Sequence, residues 1–534
     1  MLNLFRSIKQ FLYNVTSSDS INDRIKKEFL EKNKNFYNKC FKHEDVIGHN
    51  DKKIYVVHID KYLSLTLREN TLAKQLQKKS GHEVIAVSAT FYNQEIEQID
   101  KSFEIKTVSM VKELIRNWYL VIIPLFKTLW FMLRNPSIDG LIKLRYRNVP
   151  IGNPVYDQIL LNMVDNNEGF TCKRLNWKNG FVELWEGMCL VELSSNLFKK
   201  NAPSCCIISE STYNRSIVAR VAVQFGADIL NTLKWDTYLL NNHEVRNMEL
   251  NVREATVNHI KEILNKEKYD NKIKDIYNKS YDEEKINILE NMGINNGLKN
   301  AIIMVHCFKD CPREQSKKMI YRDFYEWFED TLKQIGKIKN VNWIIKDHPY
   351  SKAYGQYDEV KKLLKKYKQP NIIYYDSIKE INIVSKIADC VITVSGTTCI
   401  EAPSYGVCCI AAGIPYYSDF GYIFNSKSKE EYYRLLRNIN SMKEMNRIEK
   451  RDAAEIKNIW DSILTDTKDE FNNILYDYDK VIFAIKCSSI QRKVATENLM
   501  KKYMILIEKY NDFDNIIKYN SKVKSYLDKK YLNI

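Results

Sequence analysis

The residues whose types and spacing could do chemistry concentrate between Ala301 and Gly406. The apolar run CVITVSG leads into GTTCIEAPSYG, where Gly396 permits close backbone approach and Thr397 or Thr398 can cap a following helix. The open N–H groups of such a helix start, together with its dipole, suit a phosphate. Glu401 falls in the first turn, within reach of ribose or sugar hydroxyls attached to that phosphate. A purely structural account is also available: Ser395 to Thr398 would only cap, and Glu401 would only favour the dipole.

A second segment, NWIIKDHPYS, reads as a strand delivering Lys346 and His348 to the same kind of rim, with Pro349 stiffening the exit. A third, MVHCFKDCPRE, adds His306 and Asp310 just beyond another strand. Cys307 and Cys311 stand near His306, but no second ligand pair accompanies them, so zinc is not expected.

These segments need elements to hold them. KKIYVVHID, GHEVIAVSA and SCCIISES alternate with helix-length stretches, the last followed by the helix-like YNRSIVARVAVQFGADIL. A second series, AIIMVHCF, NWIIKDHP, NIIYYD, CVITVSG and CCIAAG, repeats the alternation and predicts another parallel sheet. The expected fold is α/β with two Rossmann-like lobes, a helical connector and a helical C-terminal region. The expected divisions are an N-terminal helical segment 1–49, a first lobe 50–240, a connector 241–300, a second lobe 301–436 and a helical region 437–534. Ligands in such lobes bind at the carboxyl ends of the strands.

At 534 residues with 45% hydrophobic and 28% charged, the chain is neither disordered nor fibrous. The net charge of +15 suits phosphates, nucleic acid or an anionic membrane. Lys and Arg are dispersed among acids with no aromatic-basic recognition motif, which speaks against nucleic acid. The 12 Cys form no CxxC pair and include the doublets Cys205-Cys206 and Cys408-Cys409 in apolar runs, which fits a reducing cytoplasm. Met1 to Val15 has helical apolar spacing without a cleavage site. WYLVIIPLFKTLWFML, Trp118 to Leu133, is too short to span a bilayer and is broken by Pro124 and Lys127. That run is either a buried helix or, flanked by Arg116 and Arg134, an interfacial segment giving peripheral contact with an anionic membrane.

HCFKDCPRE, YRDFYEWFEDTL, NWIIKDHPYS and VSGTTCIEAPSYGVCCIAAGIPYYS in this order resemble bacterial capsule and surface-polysaccharide glycosyltransferases of the two-lobed GT-B type. The likeness is to the capsule-synthesis group that includes Kdo transferases, and more distantly to CDP-glycerol glycerophosphotransferases; it covers mainly Ala301 to Leu436. KLRYRNVPIGNPVYDQIL is similar to an IGDxIYD-like segment, with Asn153 where that pattern has Asp and with Asp157 matching.

The resemblance implies a nucleotide-sugar donor in the second lobe, with His348, Ser395, Thr397 and Glu401 matching the family's HP and S-G-T…E segments, and a glycan or lipid-linked acceptor in the first lobe. Asp157 and Glu210 are the expected acceptor-side carboxylates, with Asp310 in reserve. No DxD pair ends a strand, so no metal or other cofactor is called for, and stabilisation of the leaving nucleotide falls to Lys346, His348 and the Thr397 helix start. The rival readings are a sugar-nucleotide epimerase or glycerophosphotransferase of the same build, and a basic nucleic-acid-binding protein.

Overall fold

The computed structural model describes residues 22–41, 52–58, 63–88, 94–232, 237–242, 248, 250–266, 282–294, 297–375, 386–465, 469–482, 488–510, 516 and 521–531. The expected amphipathic segment Met1 to Val15 lies outside them.

The chain forms two compact units, one of Met1–Val155, Leu175–Ala255 and Ile463–Ile534, the other of Tyr156–Arg174 and Thr256–Ser462. The first holds strands β1 (Lys53–His58), β2 (Glu83–Ser88), β3 (Lys106–Ser109), β4 (Pro203–Ile208), β5 (Asp228–Asn231) and β6 (Tyr238–Asn241). The second holds β7 (Lys299–Met304), β8 (Val341–Lys346), β9 (Ile372–Tyr375), β10 (Cys390–Thr393), β11 (Cys408–Ala411) and β12 (Ile423–Asn425).

The spatial orders are β3-β2-β1-β4-β5-β6 and β9-β8-β7-β10-β11-β12, the same 3-2-1-4-5-6 pattern twice. All neighbours are parallel except β6, which runs antiparallel to β5. The expected α/β fold with two Rossmann-like parallel-sheet lobes is the observed one.

Both faces of the second sheet are covered, and for that reason its strands read as unbroken apolar runs. Ala301, Ile303, Trp343, Ile345 and Ile392 turn to a core built on Trp327 and Phe328, while Ile302, Ile344 and Val391 turn to one containing Leu289 and Ala402. The period of two along each strand sorts these residues by face. In the first unit the expected helix through GADIL stops early. Gly226 takes φ +83, and Asp228–Asn231 becomes β5.

The helices used below are α1 (Asp23–Phe41), α2 (Leu63–Ser80), α3 (Met110–Arg116), α4 (Ile122–Leu133), α5 (Gly152–Asp165), α6 (Phe181–Lys200), α7 (Phe324–Ile335), α8 (Thr398–Ser404) and α9 (Ser489–Lys509). The elements among the described residues after Arg437 are helical, as expected. α9 packs on α1, with the Tyr37 and Tyr503 hydroxyls 3.1 Å apart inside the core of the first unit.

Candidate functional site

In a 3-2-1-4-5-6 sheet the connections leave strands 1 and 4 in opposite directions, and a crevice opens at their carboxyl ends. In the second unit those ends are the β7 exit, which carries His306, and the β10 exit, which carries Ser395 to Thr398.

His306 ties the two exits together. Its Nε2 lies 2.9 Å from the Thr393 hydroxyl and accepts the Val394 N–H at 3.2 Å, and its ring stacks on Phe324 at 4.2 Å. That nitrogen is committed to the protein, so the ring braces the turn rather than presenting Nε2 to a ligand. A side chain at Gly396 would meet the Thr393 and Thr398 hydroxyls at 3.2 Å and the His306 ring at 3.6 Å, which explains the glycine by close approach.

Beyond this brace the chain presents donors. The backbone N–H groups of Gly396, Thr397 and Thr398 make no hydrogen bond among the described residues; the first helical bond of the turn is Cys399 N–H to the Gly396 carbonyl, 3.0 Å. Thr397 sits at the N-cap of α8, yet its exposed side chain does not cap the helix. The Thr398 hydroxyl is buried without a partner. The capping account of these threonines therefore fails, and Ser395 is buried beneath the turn.

Lys346 closes the neighbouring strand β8. Its side chain is buried, and burial lowers the affinity of the amine for its proton, against the pull of Glu401 and Asp347. No carboxylate lies within ion-pair distance of it, so this is a buried cation without a counter-ion among the described residues.

Burial, followed by the Lys346 charge, takes His348 down to about 4, so the imidazole is neutral at pH 7. Its Nδ1 accepts the Tyr350 N–H at 3.1 Å and lies 3.1 Å from the Cys307 thiol, which leaves the proton on Nε2. Neutral in this setting, His348 can donate a hydrogen bond from Nε2 but brings no charge of its own. Glu401, half-buried one turn into α8, is coupled electrostatically to Lys346 and bonds to no side chain.

The three expected acids separate. Asp157, expected on the acceptor-side lobe, belongs to the second unit, is fully buried, and accepts the Arg313 and Glu314 N–H groups at 3.1 and 3.0 Å. Burial, and next the Glu314 charge, hold its carboxyl well above the usual range. It staples the loop after β7, and both its oxygens are occupied in doing so. Asp310 lies half-buried in that loop, its N–H on the Cys307 carbonyl at 3.0 Å.

Glu210 stands two residues past β4, at the switch point of the first sheet, with Oε1 accepting from the Thr212 hydroxyl at 2.7 Å and Oε2 3.7 Å from Arg215. Near it Asn214 donates to Glu186 Oε2 at 3.1 Å, and burial raises the Glu186 carboxyl.

Sequence reasoning missed the residues that position this machinery. Gln356, fully buried, accepts the Phe308 N–H at 2.6 Å and donates to the His306 carbonyl at 2.9 Å. Asp323 caps α7 and accepts the hydroxyls of Tyr156 at 2.7 Å and Thr171 at 2.6 Å. Local patterning holds the cap signal, Asp before FYEWFEDTL, but not the two hydroxyls from more than 150 residues upstream.

No protein-family model and no curated protein matches the chain. Among solved structures it is similar to the UDP-GlcNAc 2-epimerase from Neisseria meningitidis bound to UDP-GlcNAc, at 10% identity and TM-score 0.25 over 78% of this chain and 98% of that one. It is similar also to a glycosyltransferase from Rickettsia africae ESF-5, at 11% and 0.28 over 86% and 99%. A third likeness is to the KpsC β-Kdo 2,4 transferase of Thermosulfurimonas dismutans, at 12% and 0.26 over 48% and 87%. With TM-scores this low, the fold assignment above rests on the chain's own strand order.

Proposed function

We propose that the chain is a glycosyltransferase that takes a sugar from a nucleotide-activated donor and passes it to a surface-polysaccharide or lipid-linked glycan acceptor. One observation carries the reading: at the carboxyl edge of the second sheet a buried Lys346, with no ion-pair partner among the described residues, feels the charge of Glu401, and the three amides at the start of the helix that holds Glu401 make no hydrogen bond among those residues. Such a set matches a diphosphate joined to a ribose. The Gly396 to Thr398 amides and Lys346 hold the phosphates, His348 donates from Nε2, and Glu401 accepts from ribose hydroxyls.

As the bond from the anomeric carbon to the phosphate oxygen breaks, negative charge grows on the departing nucleotide, where Lys346 and the amides are already oriented. The acceptor hydroxyl must lose a proton, and Glu210 at the switch point of the first sheet is the carboxylate assigned to it, with Asp310 in reserve.

Thermal melts with UDP, CMP, CDP and GDP test the donor site, since a ligand bound only by the native state raises its stability. One of them is expected to raise the melting temperature of the wild type but not that of Lys346→Met or Glu401→Ala. No shift with any nucleotide would overturn the donor site, and turnover of a nucleotide sugar without an acceptor would replace transfer with epimerisation.

A further inference from the structure

The apolar stretch that the sequence left between a buried helix and an interfacial segment folds as α3, a 3-10 turn at Trp118–Val121, and α4, and the first unit covers only one side of it. At about 100° per residue, the buried positions of α4, Pro124, Thr128 and Met132, centre roughly 180° from Ile122, Ile123, Phe126, Trp130 and Leu133. The covered side seats on α6, where the Thr128 hydroxyl lies 3.5 Å from Met188 Sδ and the Trp185 ring N–H lies 3.4 Å from the Val121 carbonyl.

The opposite side is apolar as well and stands in water: Trp118 is 64%, Phe126 65% and Leu133 72% exposed. A helix at the surface of a globular unit normally turns polar residues outward.

The charges carried by this segment are mostly cationic. Lys112, Arg116, Lys127 and Arg134 accompany it, and Glu113 is the sole acid between Met110 and Arg134, bonded to Arg116 at 3.3 Å. Lys127 and Arg134 fall within about 60° of Trp130 on the helix, and the Arg134 guanidinium lies 3.6 Å over the Trp130 ring. Tryptophan and tyrosine beside long cationic side chains are the groups that settle at the boundary of a bilayer, rings in the interface and charges among the headgroups. A second copy docked on the same face would instead set cations against cations. At 12 residues α4 is about 18 Å long, and no helix among the described residues is long and apolar enough to cross a membrane.

We propose that the outer face of α3, the Trp118–Val121 turn and α4 is a docking surface for an anionic lipid bilayer, on which the protein rests peripherally with Trp118, Phe126 and Trp130 in the interface and Lys127 and Arg134 on lipid phosphates. The proposal stands independently of the sugar-transfer reading.

The test is co-sedimentation of the full-length protein with phosphatidylcholine vesicles, with and without phosphatidylglycerol, across a salt series. Capture by the anionic vesicles, weakening as salt rises, is expected. The triple variant Trp118→Ala, Phe126→Ala, Trp130→Ala should reduce that capture about tenfold or more, with melting behaviour unchanged because the side chains are exposed. Should the triple variant fold poorly, Lys127→Glu with Arg134→Glu and the quenching of wild-type tryptophan fluorescence by brominated lipid decide the matter. Absence of capture, capture undiminished in both variants, or a self-association abolished by the triple variant without any vesicle binding would each overturn the proposal.

Discussion

Lys346 and Glu401, both at the carboxyl edge of the second sheet, feel each other's charge yet form no ion pair. An ammonium and a carboxylate held apart in this way leave both free for a third group. That arrangement separates this site from the surface pairs elsewhere in the chain, such as Lys366 with Glu329 at 2.9 Å.

Replacing Glu401 with Ala is expected to weaken nucleotide binding roughly tenfold or more, the value of a hydrogen bond to a charged group, with the fold intact. Calorimetric titration of the variant checks it. Unchanged affinity would remove Glu401 from the site.

Lys346→Met should have two effects of opposite sign. The ligand-free protein gains about 1 kcal/mol or more, since a buried charge without a partner is replaced by an apolar chain of similar length. The stabilisation conferred by nucleotide disappears. Paired denaturation curves with and without nucleotide distinguish this from a structural lysine, whose loss would destabilise both.

Glu210→Gln should cut transfer by about a hundredfold or more while nucleotide affinity stays as it was. Asp157→Ala should instead destabilise the second unit by about 2 kcal/mol, because two buried amides lose their acceptor. Rate and stability measured on both variants separate the roles. A Glu210→Gln enzyme with normal turnover would end its candidacy.

His58 supplies a pH prediction from the first unit. It is fully buried between Glu69 Oε2 at 2.7 Å and Asp100 Oδ1 at 3.0 Å; burial opposes its charge, but the two carboxylates outweigh burial and raise it to about 10. A folded-state value above the unfolded 6.5 means stabilisation that is full below that pH and is lost as pH climbs through 10. His58→Leu, which strands the carboxylates, should cost about 3–5 kcal/mol at neutral pH and flatten the decline between pH 7 and 10. Urea unfolding of both proteins across that range is the measurement, and parallel pH profiles would sink the account.

Much of the site was legible because its signals are local. Gly396, Thr397 and Glu401 are spaced by one turn of chain, and the strand before them announces itself by an apolar run, so sequence alone placed a donor-rich turn at a strand exit. The alternation of strand and helix likewise announced two parallel sheets, since strands covered on both faces have no polar period to hide them. The placing of Lys346 at the end of β8, with His348 two residues beyond it, followed from the same reading.

What the sequence could not decide depends on distance along the chain or on surroundings. Asp157 and Glu210 look alike as acids in a sequence. One is enclosed by amides from Arg313 and Glu314, some 156 residues away, while the other stands at a strand exit. The neutral state of His348 follows from burial and from the Lys346 charge, quantities that exist only once β8 is seated in its sheet. The Trp118 to Leu133 run carries apolar residues all round, so no periodicity could say which side the first unit would cover; packing against α6 decided that, leaving Pro124, Thr128 and Met132 buried. Side-chain type and local spacing are written in the chain, whereas charge state, solvent access and partnership are properties of the packed surroundings, and only folding supplies those.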